Sequence, residues 1–122
     1  MLHKIDLAAD HIAGFRWEGK FDEKGVKQSL VQFLPELQMR SKMNLYLEVI
    51  NLSDMEAKAL FEAIKFDIMN MREMITKIDK VALVTDVDWL KNMTNTASIM
   101  VPKMEIKVFK MREAEAAKIW VE

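Results

Sequence analysis

The sequence Lys80-Val81-Ala82-Leu83-Val84-Thr85-Asp86-Val87-Asp88-Trp89 carries the clearest structural signal in the chain. Residues 80–85 show no alternation of apolar and polar side chains, which is typical of a strand covered on both faces. Asp86 and Asp88 follow at once and predict a helix start, because a carboxylate there accepts bonds from free backbone amides. A covered strand followed by a helix indicates an α/β domain with parallel strands.

Strand and helix signals alternate on both sides of this stretch. Strands are predicted over residues 3–9, 11–18, 44–50 and 104–109. Helices are predicted over residues 22–42, with Asp22 as N-cap and a kink at Pro35, over 53–78, from Asp86 up to Pro102, and over 113–121. The predicted order is therefore β-β-α-β-α-β-α-β-α.

The first two predicted strands form a pair. Ala13, Phe15 and Trp17 alternate with more polar residues, which places the two aromatic side chains on one face. The short connection at Ala9-Asp10 predicts an antiparallel hairpin. Because the later strands alternate with helices and should run parallel, the sheet is expected to be mixed.

Length and composition exclude several classes of protein. A chain of 122 residues predicts a single domain spanning residues 1–122. With 18 Lys and Arg against 19 Asp and Glu, the net charge of −1 leaves no basic footprint for nucleic acid. No cysteine is present, which excludes thiolate chemistry and disulfides. The two histidines, His3 and His11, lack the convergent ligands of a metal site, so neither a metal nor a cofactor is expected.

Hydropathy predicts a cytoplasmic protein without an integral membrane segment. Asp6 and Asp10 interrupt the apolar residues near the N-terminus, which is unlike a secretory signal. Apolar runs such as 81–84 are far shorter than the roughly 20 residues of a membrane span.

The ordered pattern resembles the SpoIIAA-like proteins, small bacterial proteins grouped as STAS/SEC14-type domains. Their pattern is matched by Arg16-Trp17-Glu18-Gly19-Lys20, Leu45-Tyr46-Leu47-Glu48-Val49, Ala63-Ile64-Lys65-Phe66-Asp67, residues 79–89, Phe109, and Ala116-Ala117-Lys118-Ile119-Trp120-Val121. The resemblance implies a mixed sheet of four or five strands packed against about four helices. STAS antagonists in this group switch partners when a serine or threonine at a helix start is phosphorylated, whereas SEC14-type domains hold an apolar ligand.

Ser53 is a candidate for such a regulatory residue. It follows a strand, and Ser53 with Glu56 has the spacing of a capping box. An ordinary N-cap therefore explains this serine, and the absence of a following glycine departs from the antagonist pattern. The cap is the preferred interpretation, and the phosphoswitch is the alternative.

Asp86 and Asp88 are candidates for phosphotransfer chemistry. An apolar strand followed by Asp-x-Asp is similar to phosphatases that form an aspartyl-phosphate, in which one carboxylate is the nucleophile. The preferred interpretation is structural, with one aspartate capping a helix and the other solvated.

The 11 methionines indicate an unusually wide apolar surface on the helices. In the long predicted helix, Phe66, Met69 and Met74 fall partly outside the main apolar stripe, and Trp89 and Met93 lie in the next helix. Core packing, a homodimer interface and a lipid-like ligand each account for this surplus. The sequence therefore predicts a non-catalytic binding or regulatory module that engages a partner protein or a hydrophobic ligand. A small phosphotransfer enzyme or phosphoswitch is the alternative.

Overall fold

The computed structural model describes residues 2–7, 11–18, 42–51, 53, 76–88 and 104–122, together with twelve separate positions between 24 and 39 and between 55 and 62. Five strands form one sheet: β1 (Leu2–Ile5), β2 (Ile12–Glu18), β3 (Met43–Ile50), β4 (Ile78–Thr85) and β5 (Glu105–Phe109). A 3-10 turn (Met111–Glu113) and the C-terminal helix (Ala114–Trp120) follow β5.

The sheet is mixed, as predicted, and its strands lie side by side in chain order. β1 pairs antiparallel with β2, and the remaining neighbours pair in parallel. In the central register, Phe15 of β2 lies opposite Leu47 of β3, which lies opposite Leu83 of β4. The expected α/β class is therefore confirmed.

The predicted number and bounds of the elements need correction. β1 ends at Ile5 instead of residue 9, so the connection to β2 is longer than a tight hairpin. Ile78, predicted as the end of the long helix, is the first residue of β4 and is buried. Among the described residues the C-terminal helix is the one helix with assigned bounds; the described positions between 24 and 39 and between 55 and 62 are helical and mostly exposed. The capping residue Asp22 and the interiors of the other three predicted helices lie outside the described residues.

Gly14 explains why the chain after β1 can cross close to β2. It is the register partner of Ile5. A Cβ atom at Gly14 would lie 2.9 Å from the Ile5 carbonyl oxygen and 3.0 Å from the Leu7 side chain. This close approach requires the smallest residue at this point of β2.

The core lies on both faces of the sheet. On one face, Tyr46, Ala82, Val84 and Phe109 belong to an apolar cluster completed by Ala117 of the C-terminal helix. The opposite face carries a second cluster, formed by Ala13, Phe15, Met43 and Ile78. The lack of alternation along β4 is thus explained, since both sets of its side chains contribute to apolar clusters.

Asn44 fixes the C-terminal helix to the amino ends of the central strands. Its side-chain amide donates to the Val121 carbonyl at 2.5 Å and accepts from the Lys80 backbone N–H at 3.2 Å. Lys80 Nζ also donates to the Trp120 carbonyl, and its ammonium lies 5.2 Å from the Trp120 ring centre. These bonds satisfy carbonyls that a helix end leaves without intrahelical donors.

None of the helices formed by the described residues has the length and apolar character needed to cross a bilayer.

Candidate functional site

A cleft opens at the carboxyl ends of β3 and β4, beside the 3-10 turn that follows β5. Its volume is about 550 Å³. The described residues that line it come from all three segments: Val49, Ile50, Asn51, Asp86, Val87, Asp88 and Met111. In open α/β sheets, ligands tend to bind outside the carboxyl ends of the strands, so the cleft is the candidate functional site of the described part of the chain.

Thr85 fixes the course of the chain where β4 enters the cleft. Its buried hydroxyl donates to the Val49 carbonyl at 2.9 Å and accepts from the Val87 backbone N–H at 3.1 Å. One side chain therefore joins the end of β3 to the turn after β4. This threonine was not predicted as a site residue, although its position between an apolar strand and Asp86 marks the strand end.

Asp86 caps a different element from the one expected. Its Oδ1 accepts from the Met111 backbone N–H at 3.2 Å, at the start of the 3-10 turn. The carboxylate thus bridges the ends of β4 and β5 across the cleft. Asp88 is exposed and lies in a helical conformation. One of these aspartates was expected to cap the helix that follows β4, whereas this partner of Asp86 lies 25 residues further along the chain.

The described residues of the cleft wall are acidic or apolar, apart from Asn51. Its two ionisable described lining residues are Asp86 and Asp88, both exposed, and neither lysine nor arginine is among the described residues of its wall. Val49 and Val87 are buried, and Met111 is half-buried. The described wall therefore combines carboxylate acceptors with apolar side chains.

The chain leaves β3 through a left-handed residue, Asn51, whose φ is 60°. Asparagine tolerates this conformation better than most residues with a side chain. Ser53 follows, and its Oγ accepts from the Glu56 backbone N–H at 3.1 Å while donating to Glu56 Oε1 at 3.2 Å. The predicted capping interaction between Ser53 and Glu56 is therefore present.

A buried polar network joins β2 to β3, and its Glu48 directly precedes the cleft residue Val49. Glu48 is only 3% exposed, and it accepts from Arg16 Nε and from the Tyr46 hydroxyl, each at 2.6 Å. Burial, followed by the bond to Glu48, raises the pKa of Tyr46 above its ordinary value. The bond to Glu48 also raises the pKa of Arg16. This network was not predicted, since its strands come together only through the register of β2 and β3.

Trp17 of β2 lies in register with Val49, a residue of the cleft wall. It is the register partner of Val49, which in turn pairs with Thr85. Its indole Nε1 is buried and has no acceptor within the part of the chain that the structure describes. A buried donor of this kind is uncommon in folded proteins.

The structure places the other predicted site residues as follows. The apolar set Phe66, Met69, Met74, Trp89 and Met93 lies outside the described residues. His3 and His11 are exposed, and His11 Nε2 lies 3.2 Å from the Glu122 carbonyl oxygen. No group of three or more candidate metal ligands occurs among the described residues.

The match to a known family covers β2 to β5 and the described residues of the cleft wall. A sequence model described as SpoIIAA-like matches residues 12–122. The chain belongs to the SpoIIAA-like family. The match begins at β2 and includes every described residue of the cleft wall. Neither a curated protein nor a solved structure matches the chain. The SpoIIAA-like family supports an α/β module of the STAS type, as the sequence resemblance implied.

Proposed function

We propose that this SpoIIAA-like protein is a non-catalytic regulatory module that binds a partner protein at the carboxyl ends of β3 and β4. The observation that carries the proposal is the cleft itself, which three separate segments form beside the Ser53-capped helix start. This edge is where α/β domains commonly bind their ligands. The family membership adds the precedent of regulatory STAS-type modules.

The polar groups of this edge support a rigid recognition surface. Thr85 bonds to the Val49 carbonyl, Asp86 to the Met111 amide and Ser53 to the Glu56 amide. Each side chain thus holds the backbone of its own chain in place. Because a preformed surface pays less conformational entropy on association, such an edge suits protein recognition.

Met55 supplies an exposed apolar contact close in sequence to this edge. It lies two residues after Ser53, is helical and is 81% exposed. Methionine adapts to irregular partner surfaces because its side chain is flexible and polarizable. The apolar face centred on Phe66, Met69, Met74 and Met93 remains a prediction from the sequence.

Site-specific photo-cross-linking in the cells that produce the protein tests the proposal. A photoreactive residue at position 55 is expected to form one discrete adduct with a partner protein. The same residue at Ile119, which is 68% exposed on the C-terminal helix, is the matched control and should form no such adduct. Absence of an adduct at position 55, or the same adduct from both positions, would contradict the proposal.

Native mass spectrometry of the purified protein separates the other occupants. A mass that corresponds to a retained lipid would show that the site binds an apolar ligand and not a partner protein. A stable dimer joined at the cleft would show that the partner is a second copy of this chain. Magnesium-dependent hydrolysis of a phosphate ester that is lost in Asp86→Asn would overturn the non-catalytic assignment.

A further inference from the structure

We propose that two copies of this chain pair through β5, with the two β5 strands antiparallel, so that their sheets join edge to edge. The inference is independent of the proposed function, because it concerns the sheet edge and not the cleft. In the sheet that the described residues form, β5 is an outer strand and has β4 as its one neighbour. An outer strand presents backbone donors and acceptors on which another strand can pair.

The two faces of β5 carry different side chains. Phe109 belongs to the apolar cluster under the C-terminal helix, and by the alternation of a strand Glu105 and Lys107 lie on the same face. Both of these charged residues are exposed. Ile106 and Val108 lie on the opposite face and are half-buried. A second strand beside β5 would therefore meet charges on one face and apolar side chains on the other.

The order of residues in β5 is complementary to itself when the strand is reversed. A two-fold axis perpendicular to the sheet brings two β5 strands together antiparallel and keeps equivalent faces on the same side. With the axis beside Ile106, Glu105 of each copy lies opposite Lys107 of the other. On the other face, Met104 of each copy lies opposite Val108 of the other. Opposite charges and apolar pairs both stabilise neighbouring antiparallel strands.

The charges of β5 select this register over its neighbours. An axis beside Lys107 would place two ammonium groups opposite each other, and an axis beside Glu105 would place two carboxylates opposite each other. Like charges directly opposite each other destabilise a strand pair. Glu105 and Lys107 are also available, since neither forms an ion pair among the described residues. The Lys107 ammonium lies 5.2 Å from the Phe109 ring centre on the same strand.

The outer strand at the opposite edge, β1, lacks this complementarity. Its four residues, Leu2–Ile5, include no acid, so a pair of β1 strands would form no ion pair within the strand. Lys4 also already interacts within its own chain. The edge at β5 is therefore the one that a second copy fits.

Charge reversals test the pairing by analytical ultracentrifugation of the full chain. The wild type should show a dimer whose fraction rises with protein concentration. Glu105→Lys and Lys107→Glu should each weaken the dimer by roughly tenfold or more, because either change places like charges opposite each other at two points. The combined Glu105→Lys and Lys107→Glu variant should restore the dimer. Asp6→Lys, an exposed acid beside the opposite edge of the sheet, is the matched control and should dimerise as the wild type does.

A mixture of the two single variants gives a second, independent readout. One variant has two positive charges at these positions and the other has two negative charges, so each should pair with the other better than with itself. Native mass spectrometry, with one variant labelled with nitrogen-15, should therefore detect a heterodimer. Its formation would also show that both variants are folded, so the weak dimers of the separate variants are not caused by misfolding.

Three outcomes would overturn the inference. A wild type that stays monomeric up to roughly 1 mM would exclude the pairing as a specific contact. A dimer that persists in both single variants would assign self-association to another surface, such as the cleft. A dimer that is lost in Asp6→Lys and kept in Glu105→Lys would assign it to the edge at β1. Each of these results is separate from the cross-link at position 55, on which the proposed function depends.

Discussion

Arg16 Nε lies 2.6 Å from Glu48 Oε2, across the register pair that joins β2 to β3. The two partners differ in exposure: the Arg16 side chain is 44% exposed, whereas that of Glu48 is 4% exposed. A partly solvated guanidinium therefore donates a hydrogen bond to a carboxylate that has little access to water. The second bond to that carboxylate comes from Tyr46, on the same strand.

Replacement of Arg16 should destabilise the fold. We expect Arg16→Gln to lower the free energy of unfolding by about 1–3 kcal/mol, because Glu48 would stay buried without its charged partner. Urea denaturation measures the loss. Arg112→Gln, at an exposed arginine of the 3-10 turn, is the control and should change stability by less than about 0.5 kcal/mol. Equal losses in both variants would show that the contact with Glu48 is not responsible.

The titration of Tyr46 should depend on folding. Tyr46 is the single tyrosine of the chain, so tyrosinate absorbance reports on it alone. Because burial and the bond to Glu48 raise its pKa, the folded protein should keep the phenol protonated at pH values where a model tyrosine, with a pKa of about 10, ionises. In 8 M urea the ordinary titration should return.

The sign of the linked effect on stability follows from the raised pKa. The folded state binds the phenolic proton more tightly than the unfolded state, so this contribution is complete below about pH 10 and is lost as the pH rises toward the folded pKa. Tyr46→Phe should remove this alkaline dependence and cost about 1 kcal/mol at neutral pH through the lost hydrogen bond. An unchanged alkaline profile in Tyr46→Phe would assign it to other groups.

Asn44→Ala should loosen the C-terminal helix. The change leaves the Lys80 N–H and the Val121 carbonyl without their side-chain partner, and we expect a loss of about 2 kcal/mol or more. Hydrogen exchange should accelerate over residues 114–121 more than in the central strands. Asp79→Ala, at an exposed neighbour of Lys80 on β4, serves as the control. Uniform acceleration across the sheet would indicate a general loss of stability instead.

Substitutions of Ser53 distinguish its role as a helix cap from a role as a regulatory phosphorylation site. Ser53→Ala should cost about 1 kcal/mol, because the Glu56 amide loses its acceptor, whereas Ser53→Asp should retain most of the stability. Thermal unfolding of the two variants measures the difference. Mass spectrometry of protein isolated from its own cells reports on modification, and a phosphorylated Ser53 would support the alternative over the cap.

Local patterns were sufficient to predict the strands of the sheet. Alternation in β2 and its absence in β4 follow from which faces are covered, so the mixed α/β class could be derived from residues 11–18 and 80–85. The boundary at Ile78 was missed because apolar residues continue at helical spacing across the turn at Thr76 and Lys77, where neither glycine nor proline marks a break.

The polar contacts of the site were less accessible to sequence reasoning. Asp86 and Met111 are 25 residues apart, and Arg16 and Glu48 are 32 residues apart. Such pairs depend on which strands are neighbours and on the register between them. Neither the strand order nor the register can be read from the amino-acid composition. Once β2 and β3 are aligned in parallel, however, the pairing of Arg16 with Glu48 follows directly.

The chain-order arrangement of the five strands has a consequence for biosynthesis. From β2 onward, each strand pairs with the strand translated just before it. Its pairing partner has therefore already left the ribosome when the new strand emerges. The sheet can therefore grow in one direction as the polypeptide emerges. The bonds from Asn44 and Lys80 to Val121 and Trp120 can form only after the C-terminal helix has been translated, so this helix is added to a sheet whose strands are already present.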